Sequence, residues 1–283
     1  MLLVLAAAGW AWPLFAHAHE GFARLRTVDI GALLAAALLH VAMLVASAMC
    51  WRHAFGAHGG HVGRADACVR YGVGTFLNAV TPARAGGAVR IGLFARSFGN
   101  ESNVRRAGLA LAGIGFVRVA AVTLLVAAAA LAGIAPRWLV VAPFVLAAAA
   151  LLARRRAKLH RSDAAVLFGW AALASCCRCA SIVAALAAVG VDSPVSAGIV
   201  GLVGLELSSL VPLAPGIAGV GGAAVAVAIV AHGVPSATAF AGGVAFYVAE
   251  GAAGIAFGLA ATASFILARQ SRAAEGDVPV PVW

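Results

Sequence analysis

The stretch from Ile30 to Trp51 runs for 22 residues without a formally charged side chain. As a helix it reaches about 33 Å, enough to cross the hydrocarbon core of a bilayer. In lipid every backbone N–H and C=O must be satisfied inside the chain, so such a run is restricted to a helix. The pattern recurs. Residues 107–135 carry one charge, Arg118, and residues 164–191 carry one, Arg178. Trp138 to Ala153 is shorter, but Arg137 and Arg154 complete it by extending toward opposite interfaces. From Pro194 to Ala268 only Glu206 and Glu250 are charged, in apolar material sufficient for about three crossings.

Hydrophobic residues make up 63% of the chain and charged residues 11%, with a mean hydropathy of +1.00. That balance excludes an ordinary water-soluble domain. The expected fold is all-α, a polytopic transmembrane helical bundle of about eight spans with two broken or re-entrant segments. One transmembrane domain covers residues 1–268, and residues 269–283 form a short cytoplasmic tail. Residues 1–19 read either as a first helix or as a signal peptide. Ala16-His17-Ala18 fits a small-x-small cleavage site, yet no Lys or Arg precedes the apolar core. Whether residues 1–18 are removed stays open.

The formal net charge is +10. The cations lie between apolar runs and not along an amphipathic or aromatic-rich face, which argues against nucleic acid and for anionic membrane lipid as partner. They also orient the chain. The loop 52–106 and the cluster Arg154-Arg155-Arg156-Ala157-Lys158-Leu159-His160-Arg161 are basic and separated by two spans, so both fall on the cytoplasmic side of the cell inner membrane. Arg24 and Arg26 then lie outside, partly offset by Glu20 and Asp29. Trp51-Arg52 reads as an interfacial anchor.

Cysteines and histidines add no chemistry on this reading. Cys176, Cys177 and Cys179 share one helix and point in different directions, so they cannot close a tetrahedral zinc site. His53, His58 and His61 sit in a Gly-rich loop with Asp66 as the one nearby acid. No metal and no cofactor is expected. A Gly-x-Ser-x-Gly elbow, a phosphate-binding Gly-Lys-Ser/Thr loop and a His-Glu-x-x-His helix are all missing from the sequence, and the chain is not read as an enzyme.

Function is expected where the helices break. From Ala67 to Val80 the chain is apolar but reaches Pro82 too soon for a full crossing, and Gly86 and Gly87 follow. Backbone freed by such a break must be covered by protein or line a wet cavity. Asn78 and Thr81 there offer neutral hydrogen bonds, and Arg84 and Arg90 suit an anionic headgroup. The segment Ile91 to Arg96 reads as amphipathic and interfacial. A second break is marked by Pro212, Pro215 and the glycines from Gly216 through Gly219 to Gly222. Two interrupted segments, one per half, point to discontinuous helices meeting at a substrate site near mid-membrane; ordinary kinks are the bland alternative. Arg118 and Arg178 face the acids Glu206 and Glu250, as a structural ion pair or as a gate that a charged headgroup opens.

The run Asn78, Thr81-Pro82, Arg84, Gly86 and Arg90 resembles the signature of the lysylphosphatidylglycerol synthase transmembrane-domain family, the flippase-like integral membrane proteins. Trp51-Arg52, Arg118, and Pro212-Leu213-Ala214-Pro215-Gly216 with Gly219-Val220 extend the similarity over most of the chain. It would be a divergent member without the soluble synthase domain. Two departures accompany the likeness: Gly87 and Gly222 stand where the family has acids, so roles that need those carboxylates are not implied. The resemblance implies movement or binding of an amphiphilic, anionic-headed lipid, with Asn78, Thr81, Pro82, Arg84, Gly86, Arg90 and Arg118 around the headgroup. The alternative is a non-transporting membrane subunit that anchors or regulates a soluble lipid-modifying glycosyl- or acyltransferase.

Overall fold

A computed structural model describes residues 17–80, 85–98, 103–136, 161–208 and 220–274. Thr81, Pro82 and Arg84, the second-break residues Pro212, Pro215, Gly216 and Gly219, the Trp138–Ala153 run, the basic cluster up to His160 and most of residues 1–19 lie outside the described residues. The described part is helical throughout, without strands. In chain order the helices are α1 (Ala18–Arg24), α2 (Ile30–Gly56), α3 (Arg64–Val80), α4 (Ala85–Ala95), α5 (Asn103–Leu131), α6 (Arg161–Ala188), α7 (Pro194–Ser208), α8 (Val220–Ala231) and α9 (Ser236–Ala274).

Four of these, α2, α5, α6 and α9, are long and apolar enough to cross a membrane. The chain is an integral membrane protein. Where the sequence suggested three crossings after Pro194, the described residues hold one full-length helix, α9, and two short apolar ones of 15 and 12 residues. At 1.5 Å per residue their described parts reach about 22 and 18 Å, on either side of residues 209–219. They form the legs of an antiparallel hairpin. Gly204 of α7 packs on Ala224 and Ala228, Gly201 on Val225 and Ile229, and at the open end Ser196 Oγ lies 2.8 Å from His232 Nε2.

α3 and α4 make a second hairpin of the same kind. An added Cβ at Gly86 would collide with the Gly74 carbonyl oxygen, so the two backbones cross in near contact. Further from the tip, Arg70 Nη1 donates to the Leu93 carbonyl at 2.6 Å, and Arg70 Nε donates to Asp66 Oδ1 at 2.9 Å. The segment after Arg90 turns one aromatic ring inward. Phe94 is fully buried, with its ring 5.2 Å from Trp51 and 5.3 Å from Phe55. That ring is taken up by aromatic packing.

The two antiparallel helix pairs follow opposite ends of the bundle. α2 and α6 are antiparallel, since Ser181 Oγ donates to the Ala36 carbonyl at 2.8 Å and the Cys50 thiol lies 3.8 Å from the Leu167 carbonyl. The α3–α4 hairpin therefore follows the end of α2 on one face, and the α7–α8 hairpin follows the end of α6 on the other. Each half reads crossing helix, hairpin, crossing helix, and the second is inverted relative to the first. Asp29 caps the start of α2 by accepting from Gly31 N at 2.8 Å, and its own N–H donates to the Ala188 carbonyl where α6 ends.

Candidate functional site

The inner ends of both hairpins border one cavity of about 490 Å³. Asn78 and Ala79 come from the last turn of α3, Arg90 from α4, Leu205, Glu206 and Ser208 from the end of α7, and Gly221 from the start of α8. Each crossing helix adds an ionisable side chain near its middle: His40 from α2, Arg118 from α5, Arg178 from α6 and Glu250 from α9. Charges at such depth are costly unless they meet partners, and here they do.

Arg118 Nη2 donates to Glu206 Oε1 at 2.7 Å, a tight charge-assisted bond. Arg118 is 45% exposed, and that exposure opens into the cavity it lines. Arg178 is held more loosely. One terminal nitrogen lies 3.5 Å from Glu206 Oε1 and the other 3.4 Å from Glu250 Oε1, while its Nε is buried without a partner among the described residues. Glu250 Oε1 is also 3.8 Å from His40 Nε2.

The opposite wall carries Arg90. Its guanidinium carbon sits 3.8 Å from the centre of the Tyr71 ring and 5.6 Å from that of Trp51, a stacked arrangement that suits a planar cation. Nη2 donates to Thr75 Oγ1 at 3.0 Å, and Nε is buried with no partner among the described residues. Gly74 makes room for it, because a Cβ there would lie 2.8 Å from Arg90 Cβ. Among the described residues no carboxylate pairs with Arg90. Among the described residues three guanidiniums thus face two carboxylates around the cavity, one positive charge in excess.

Of the residues singled out from the sequence, Asn78, Arg90, Arg118, Glu206 and Glu250 come together here. Asn78 already spends its oxygen, accepting from Gly87 N at 3.1 Å and satisfying a donor at the start of α4. Gly86 acts through the backbone crossing with Gly74 and does not line the cavity. Trp51 turns inward, stacks on Phe55 at 5.8 Å and borders the cavity. Arg52 next to it donates from Nε to the Val62 carbonyl at 2.9 Å. Sequence reasoning missed His40, Tyr71 and Thr75. A lone imidazole in the charge-free run 30–51 was the available signal for the first; the other two are visible only once α3 and α4 pair.

The surroundings of Gly87 and Gly222 differ. A side chain at 87 would meet open space, whereas one at 222 would run into the Gly243 carbonyl oxygen where α8 crosses α9. Neither the protein-family models nor the curated proteins give a match to this chain.

Proposed function

We propose that the protein carries an amphiphilic lipid with an anionic headgroup across the cytoplasmic membrane, with the basic segments 52–64, 96–106 and 154–161 on the cytoplasmic side. The observation that carries this reading is the cavity with one guanidinium that no carboxylate of the described residues compensates, bordered by the inner ends of two antiparallel helix pairs. An inverted pair of broken segments around a mid-membrane site is the arrangement that lets one half rock against the other and expose the site to alternate faces. Arg90 is the first contact for the headgroup, because among the described residues its charge has no carboxylate to give up. Arg118 and Arg178 are the second, reached when the headgroup competes with Glu206 and Glu250. The acyl chains stay in the bilayer. The motif resemblance to flippase-like proteins points the same way.

Leaflet-specific quenching in proteoliposomes tests it, with labelled phosphatidylglycerol and phosphatidylcholine. Wild type is expected to exchange the anionic lipid faster than protein-free liposomes. Arg90→Ala, with folding intact by thermal melt, lowers that rate about tenfold, the worth of one charge-assisted hydrogen bond. Arg84→Ala gives a comparable loss if the tip of the first hairpin also holds the headgroup. Wild-type exchange no faster than that of protein-free liposomes would overturn lipid carriage.

A further inference from the structure

His40 has no place in headgroup recognition, yet its ring is built into the polar centre. Its side chain is 3% exposed, Nδ1 is buried without a hydrogen-bond partner among the described residues, and Nε2 stops 3.8 Å from Glu250 Oε1, beyond hydrogen-bond range. Glu250 is the least committed acid of the network. Its contacts to Arg178 and His40 are 3.4 and 3.8 Å, against 2.7 Å for Glu206 to Arg118. A buried imidazole with a bare nitrogen beside a loosely held carboxylate is unfavourable packing but a suitable place for a proton.

The geometry points to His40 and Glu250 as a joint site for one exchangeable proton that travels with the anionic headgroup, an inference that rests on lipid carriage. Arg178 is the link. Its two long contacts let a headgroup draw it away from Glu250, which leaves that carboxylate facing only His40. A proton from water on the entry side then bridges the pair, closing the 3.8 Å gap into a short bond. When the headgroup leaves, Arg178 returns to Glu250 and the proton is released to water on the exit side. Nothing is oxidised, and one anion and one proton cross together.

The surrounding charges agree with this assignment. His40 faces Glu250 of α9 and Arg178 of α6, with Glu206 of α7 and Arg118 of α5 one contact further on. Arg90 of α4, Cys50 of α2, Tyr71 of α3 and Tyr247 of α9 complete the ionisable groups on the cavity wall, and α8 brings none. Glu206 is anchored by two guanidiniums, so Glu250 is the acid free to change partners.

Both fluxes are read at once in phosphatidylcholine liposomes that hold a pH-sensitive dye, with short-chain phosphatidylglycerol added outside. Wild type is expected to move about one proton per lipid. His40→Gln and Glu250→Gln drive that ratio toward zero, and a ratio still reports when a variant is slower. Should Glu250→Gln fail to fold, His40→Gln carries the test. Lipid movement without protons in wild type, or an unchanged ratio in His40→Gln, overturns the proton site and leaves lipid carriage standing. If wild type moves no lipid, carriage falls. The proton site is then decided in weakly buffered detergent, where phosphatidylglycerol should draw about one proton per wild-type protein and none for His40→Gln; no uptake by wild type overturns it.

Discussion

Two glycines show how much one missing side chain can mean. Position 87 looks onto open space, and position 222 is pressed against the Gly243 carbonyl. Gly87→Asp should therefore fold with little change in thermal midpoint. Gly222→Glu forces α8 off α9 and should cost about 3 kcal/mol or more, read as a lowered midpoint in detergent. His58, in the turn after α2, is a residue-scale pH sensor of a plainer kind. Burial holds its imidazole below the ordinary 6.5, with Asp163 pulling weakly the other way, and Nε2 lacks a partner among the described residues. The unfolded chain then binds the proton more readily than the folded one, so the stability involved is complete above pH 6.5 and is lost as pH falls below it. Thermal midpoints measured on the acid side should fall less steeply in His58→Gln than in wild type.

At the scale of the element, the hairpins were half legible. Pro82 and Pro212 with their neighbouring glycines announce the breaks, because a residue before proline leaves helical angles and proline donates no hydrogen bond. The lengths were harder. Apolar residues fill α7 and α8 as densely as they fill α9, so composition alone does not show which helices pack together; the contacts of Gly201 and Gly204 with α8 reveal an antiparallel pair. The Ser196–His232 bond ties the open end of that pair. Removing it with Ser196→Ala should cost about 1 kcal/mol. Amide exchange should then rise in α7 and α8 and not in α2 or α6, which checks that the hairpin is a unit with its own stability.

For the molecule as a whole, the membrane class and the mid-membrane charges could be read from long uncharged runs broken by Arg118, Arg178, Glu206 and Glu250. Their pairing and the inversion of the halves could not, because both depend on contacts between residues far apart in the chain, 88 positions in the case of Arg118 and Glu206. His40 escaped notice because a neutral imidazole leaves no mark on a charge pattern. The same distribution bears on how the protein is made. The half that emerges first supplies Arg90 and Arg118 to the cavity, and both acids there, Glu206 and Glu250, belong to the half that follows. Until the second half is inserted, Arg118 lacks Glu206, its carboxylate partner among the described residues, so the cavity is also a seam that closes last during biogenesis. Two fragments cut between residues 136 and 161 and made together should assemble into a complex that co-purifies. Arg118→Glu in one fragment should prevent this, and adding Glu206→Arg in the other should restore it in part. The charges poised for a ligand in the finished protein would then also act as its proofreading step, marking a half-made chain as unfinished.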